Sequence, residues 1–287
     1  MTSVVKKLLC GLMVIPACAN ISYATEMLGN PTDIGTPGQL ELLVGGGRTT
    51  DLSLAAGKST GNLHIGSASA TFTLPASAGN FNDEQIFFGL SYAFNAKTQL
   101  FANFGSGKNS EQSTKTNTVG LKLSPQTETA ETRMGIVLRA QQVTMDIEGP
   151  FYVPPSSIND GTNTSYFGTA LNGTEQIKYT RMDAFIGASR NIGTFRPYGG
   201  FCLTRISGTD TISLNDTVNV SSFPNAGGTG STTMQQVSFN AKSNISGNKN
   251  FTAVFGLGIN PNNDIGIVSE LQFGVQRSVS MSGNFRF

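Results

Sequence analysis

Histidine occurs once in the chain, as His64 in the stretch GNLHIGS. A hydrolase built on it needs a serine or an aspartate bonded to the imidazole, because the ring must take a proton from a nucleophile while held in one tautomer. Nothing adjacent in sequence supplies that cluster, so His64 reads as a surface-loop residue. The stretch AAGKST, residues 55–60, imitates the end of a phosphate-binding loop. The full pattern needs glycine at the position of Leu52 and a place between a strand and a helix; both conditions fail, and it reads as a polar turn. Metal coordination needs several close histidine, cysteine or carboxylate ligands, and none gather here. Asp160, Asp210 and Asp216 stand in polar stretches where they would hold calcium loosely at best. No catalytic residue, cofactor or metal is expected.

Six other charges are more informative, because they interrupt apolar patterns. Lys122, Arg139, Arg181, Asp183, Glu270 and Arg286 each fall on the polar phase of an alternating segment. Successive side chains of a strand point to opposite faces, so these charges share a face with glycine, serine, alanine, glutamine and asparagine. Buried there, each must find a partner or water.

The segments that carry them repeat with period two along the chain. EQIFFGLSYAF is the clearest, with Ile86, Phe88, Leu90, Tyr92 and Phe94 on one face. Similar alternation follows around Leu40, Leu100, Val119, Met134, Met182, Phe201, Phe251 and Ile265, and in the last stretch SVSMSGNFRF, which ends on Phe287. The strand count is about ten, with eight and twelve as alternatives, because the first long connection itself alternates and could add a hairpin. Connections NAKT, PQTETAET, NIGT and NPNND are short, and those between them are long. Tight turns on one side and free loops on the other are the habit of outer-membrane barrels. A soluble sandwich should instead carry many lysines and glutamates on its water face.

Composition agrees with strands and irregular loops. Of 287 residues only 13% are charged, while 34 are glycine. The first residues, MTSVVKKLLCGLMVIPACANISYATEM, carry two lysines, an apolar run of about a dozen residues and small residues before Thr25. They read as a cleaved export leader, residues 1–24. A lipoprotein leader ending at Cys18 is the rival, with Pro16 awkwardly placed. After cleavage, 17 basic residues face 18 acidic ones and only Cys202 remains of three cysteines. No basic field is left to attract nucleic acid, and no internal disulfide can form; Cys202 reads as a small apolar side chain. Beyond the leader no run of 18 apolar residues offers a membrane helix.

The final alternating strand, with Phe285 beside the terminal Phe287, resembles the C-terminal signature of bacterial outer-membrane β-barrel proteins. Leader, strand pattern and loop alternation extend the resemblance over nearly the whole chain, toward the small single-chain barrels of the OmpA/OmpX-like or opacity-like kind. It implies an antiparallel transmembrane β-barrel over residues 38–287, preceded over 25–37 by a segment that reaches the barrel as a periplasmic tail or a plug. It also implies residence in the bacterial outer membrane, outer-membrane lipid as surroundings, and an assembly machinery that recognises Phe287. Tyr92, Phe94 and Phe285 would lie at the interface girdle. The six charges would line the lumen as a buried ionic plug, with Glu270 or Asp183 neutralising the arginines, since about ten strands enclose little more than side chains. The expected function is non-enzymatic: an envelope-structural or adhesin-like role through outer loops that meet host or environmental ligands. A narrow porin-like channel is the alternative, and a barrel hydrolase a remote one.

Overall fold

The computed structural model describes residues 27–74, 76–108, 112–125, 131–152, 157–247, 250–260 and 264–287. The leader read over residues 1–24 lies outside them. In chain order the strands are β1 (Leu40–Ala56), β2 (Ser59–Ile65), β3 (Ala68–Leu74), β4 (Ser77–Asn95) and β5 (Thr98–Lys108). Next come β6 (Gln112–Leu123), β7 (Thr132–Phe151), β8 (Ser157–Asn159), β9 (Asn163–Tyr166) and β10 (Leu171–Arg190). The last are β11 (Phe195–Pro224), β12 (Ser231–Gly247), β13 (Phe251–Ile259), β14 (Ile265–Phe273) and β15 (Arg277–Arg286). All pair antiparallel, and the described residues contain no helix.

Ten of them close a ring: β1, β4, β5, β6, β7, β10, β11, β13, β14, β15 and back to β1. Closure joins the two ends of the chain, from Glu41 opposite Arg286 to Thr50 opposite Arg277. The terminal Phe287 is tied down as well, its N–H donating to the carbonyl of Leu40 at 2.9 Å. A closed ring leaves no unpaired edge, which matters most where water is absent.

The alternation predicted from sequence sorts the wall into two faces. Ile86, Phe88 and Leu90 of β4, Met182 and Ile186 of β10, Phe201 and Leu203 of β11 and Phe255 of β13 point outward, each more than half exposed. Inside, Phe87, Phe101, Val137, Phe185, Tyr198, Cys202, Val254 and Val268 form an apolar layer. Glycines opposite the rings make room for them: a Cβ on Gly120 would lie 2.2 Å from the Phe101 ring, and one on Gly256 would lie 2.1 Å from the Tyr198 ring. A second inner layer, with Leu52, Val143, Met145, Ile177, Tyr179, Ile206 and Val275, lies farther along.

At one end the connections are tight, as at residues 96–97 and 191–194. At the other end most strands continue past the apolar belt into an extension. There β12 pairs with β11 and, at Leu54–Ala56, with β1, so that it replaces β13, β14 and β15 and closes a second ring of eight strands. The β2–β3 hairpin adds to β12, and β8–β9 packs on the tip of β11. Leu63, Ile65, Ile158, Phe167, Leu171, Leu214, Val220, Val237 and Phe239 give the extension its own core. Of the connections expected as long free loops, the one between Leu203 and Phe251 is largely strand, because Thr, Val and Asn alternate there with scattered large apolar residues, whereas the one between β7 and β10 carries, among its described residues, only the short β8 and β9. Short and long connections do not alternate strictly either. Residues 274–276 join β14 to β15 tightly at the extended end, where Gly274 at φ +148° brings its backbone against Phe251.

Candidate functional site

The lumen is occupied from two sources: side chains of the wall, and residues 27–35, which run inside the ring before the chain emerges at residues 36–38 and enters β1. Met27 and Leu28 join the apolar layer. Beyond them Asn30, Thr32 and Asp33 are buried. The segment is held by buried polar groups from strands far along the chain. Glu270 of β14 accepts from the backbone N–H of Leu28 and of Gly29, both at 2.9 Å. Asp33 accepts from Arg196 and from Arg286, each at 2.8 Å. Thr32 meets the Ser189 hydroxyl, and Arg139 donates to the Met27 carbonyl at 3.4 Å. Of the segment expected as a periplasmic tail or a plug, residues 27–35 lie inside the ring as a plug.

Two polar networks run through this interior. In the first, Asp183 accepts from Arg139 Nη2 at 2.6 Å, Arg181 Nε at 2.9 Å and the Thr204 hydroxyl at 2.6 Å, with all these side chains buried. Arg181 Nη1 continues to Gln276 at 2.6 Å, Gln276 to Gln272 at 3.1 Å, and Gln272 to Glu270 at 2.6 Å. Glu270 also accepts from the Tyr198 hydroxyl at 2.7 Å. In the second network, Glu41 takes Arg286 Nε at 3.2 Å, Gln99 at 3.0 Å and Ser91 at 2.9 Å. Such charges are tolerable away from water only because nearly every lone pair and donor is met.

The six charges singled out from sequence divide among these networks. Asp183 does neutralise two arginines, and Arg286 pairs with Asp33 and Glu41. Glu270, expected to face an arginine, instead receives two backbone N–H groups, a tyrosine hydroxyl and a glutamine amide. Lys122 is half-buried beside Gly29 and lines a cavity with Asp33 and Glu41. That cavity measures about 40 Å³, and another between Thr49, Gln85, Gln141 and Arg181 about 20 Å³. Each holds a few water molecules at most.

Sequence reasoning did not single out Asp33, Glu41, Arg196, Tyr198 or Gln276. Glu41 was findable, since it sits between Leu40 and Leu42 on the inward phase. Arg196 and Tyr198 lie where the phase of FRPYGGFCL is ambiguous. Asp33 belongs to a segment with no period at all.

Of the aromatic residues, Tyr92 and Phe94 are exposed near the turn end of β4, edge to face with centroids 5.1 Å apart. Phe285 departs from the expected girdle position. It is only 2% exposed, flanked in register by Leu42 and Ile265. His64 lies exposed on β2, opposite Ser69 and Ser238. AAGKST turns from β1 into β2, a strand-to-strand setting. Asp160 and Asp216 are used locally, accepting from the N–H groups of Thr162 and Asn163 and of Asn172 and Thr217.

Asp210 has a different neighbour. It and Glu175 face the inside of the extension, seven residues beyond Leu203 and Met182, the last belt residues on their strands, which is about 20 Å along the chain. Burial and the adjacent Asp210 push the Glu175 carboxyl up to about 7, and burial raises Asp210 as well. A carboxyl raised in the folded state binds a proton the unfolded chain has released, so its contribution to stability falls as pH rises from the ordinary carboxylate range through about 7. Amide exchange in residues 171–177 of β10 and 208–222 of β11, corrected for intrinsic rates, should therefore speed up between pH 6 and pH 8. Glu175→Gln should flatten that dependence; an unchanged profile in the variant would assign it elsewhere.

No model of a protein family matches the chain, and no curated protein matches it in sequence. Solved structures align with it in fold. The outer membrane protease OmpT from Escherichia coli aligns over 92% of this chain and 100% of its own, at 10% identity and a TM-score of 0.41. The translocator domain of the autotransporter NalP from Neisseria meningitidis aligns over 89% and 90%, at 10% identity and 0.35. The outer membrane protein OprG from Pseudomonas aeruginosa aligns over 88% and 99%, at 12% identity and 0.33.

Proposed function

We propose that the protein is a bacterial outer-membrane β-barrel without enzymatic activity, with a filled lumen and a strand-built outer extension that serves the envelope or meets partners at the cell surface. The apolar outward belt supports residence in a bilayer. The turn end then faces the periplasm and the extension faces out. The observation that carries the reading is the contrast between the two compartments: the barrel interior is closed by the plug and its buried ion pairs, whereas the extension carries its own core beneath exposed Ser, Thr and Asn faces. A role through the extension needs no passage through the wall.

A narrow channel is the second reading, favoured by one specific feature. The plug is a separate stretch of chain held largely by polar contacts, beside a cavity lined by Lys122, Asp33 and Glu41. Displacement of residues 27–35 would expose a lumen of mixed charge. Planar-bilayer recording of the refolded, heat-modifiable wild-type protein separates the two. Silence is expected. Stable, reproducible ion steps from the wild type would make the channel the better account.

A further inference from the structure

We propose that the outer wall of β5, β6, β7, β10 and β11 binds a phosphate-bearing lipid of the surrounding outer leaflet, one acyl chain in a groove of the belt and the phosphate between Lys115 and Lys178. The proposal rests on the membrane reading above and goes beyond it by giving one patch of wall a particular ligand.

The groove is an open depression of about 690 Å³, lined among others by Leu90, Leu100, Ala102, Val119, Ala140 and Met182. Its size falls within the roughly 300–1,000 Å³ of small-molecule sites. Ala102, Val119, Ala140 and Met182 are consecutive partners across β5, β6, β7 and β10. The two alanines make the wall shallow where the flanking strands carry full-sized side chains.

Toward the extension, the outward positions change character in two register steps. The next row holds Asn117, Gln142 and Thr180, all able to donate. The row after it reads Lys115, Thr144, Lys178. Two strand spacings put the two lysines about 10 Å apart at the backbone, and both are exposed on flexible stems that can converge over Thr144. Arg205, exposed beside Met182 in register, adds a third cation at the groove's edge. Among the described residues no carboxylate pairs with Lys115, Lys178 or Arg205. The nearest outward acid in register, Asp146, already accepts from Gln176 at 2.5 Å. Unpaired like charges across one strand are unfavourable unless an anion joins them. An anion set directly above an acyl-chain groove is the headgroup of a phospholipid or phosphoglycolipid. A soluble phosphate would leave the groove without a role.

The test uses the full mature chain, refolded in neutral detergent and shown by gel shift to be folded. Native mass spectrometry measures retention of a bis-phosphorylated glucosamine acyl lipid and of the same lipid dephosphorylated. Wild type should hold the phosphorylated form at least tenfold more tightly. Lys115→Gln/Lys178→Gln should lose about tenfold, whereas Lys115→Arg/Lys178→Arg should keep most of the affinity. Ala140→Phe, which fills the groove and leaves the cations in place, should weaken retention too. Equal retention of the two lipids by the folded protein, or indifference to Lys115→Gln/Lys178→Gln, overturns the proposal. Full displacement by millimolar inorganic phosphate would make this a soluble-anion site and overturn it as well. Failure of the folded protein to enter vesicles of any composition would instead overturn the membrane reading itself.

Discussion

Asp183→Ala should lower the unfolding free energy by about 3–5 kcal/mol, the usual cost of removing one partner of a buried ion pair. The carboxylate serves two guanidinium groups and a hydroxyl at once. Its loss strands Arg139 and Arg181 in an interior where Arg181 Nη2 already has no partner. The triple change Arg139→Met, Asp183→Leu and Arg181→Met should cost far less than Asp183→Ala alone, because it removes the charges together with their need for one another. The chain has no tryptophan, so unfolding in urea is followed by circular dichroism or by the gel shift of the folded barrel. A single substitution as mild as the triple one would mean that water reaches the arginines and that the lumen is wetter than its packing implies.

Glu270→Ala should release the plug. It removes the acceptor of four donors, two of them backbone N–H groups of residues 28 and 29 and three of the four fully buried. At about 1–3 kcal/mol for each donor left without a partner, and with some finding water, the loss is on the order of 3 kcal/mol. The variant should gain protease cleavage within residues 27–35 and, in planar bilayers, intermittent ion steps absent from wild type. Ser280, opposite Glu270 in register, has a buried hydroxyl without a partner, so Ser280→Ala controls for disturbance of the wall and should leave stability unchanged. If Glu270→Ala stayed silent and uncut, the apolar layer around Phe87, Phe101 and Phe185 would be sufficient to hold and seal the segment.

The barrel was legible because a strand with lipid on one side and a packed interior on the other must alternate, and period two survives any choice of residues that respects it. Ile86 through Phe94 show this without ambiguity. The side on which Arg139, Arg181, Asp183 and Glu270 fall followed from the same phase. That Asp183 would meet arginines could be read too, with Arg181 two residues away on the same strand, but the other partners could not, because register between strands forty or more residues apart leaves no local mark. Glu270 shows the difference: its inward direction could be read, but two of its four donors come from a segment without periodicity some 240 positions away. The extension escaped for another reason. From Thr209 to Ser222 strand β11 alternates, with Ile212, Leu214, Val218 and Val220 on one face and only Thr, Ser and Asn on the other, but Asp210 and Asp216 interrupt the apolar phase and hide a strand that continues unbroken from Phe195 to Pro224.

The separation of the plug from its anchors also has a meaning in time. The bonds from Leu28 and Gly29 to Glu270 and from Asp33 to Arg286 join positions 241 to 253 residues apart. Contacts of such span form late, since nearly the whole chain must be ordered before they can be made. The seam between β1 and β15 waits on the same event. A newly threaded molecule therefore passes through a stage with its wall mostly built and its bore unstoppered, and the closing of the cylinder and the corking of it are one step of assembly.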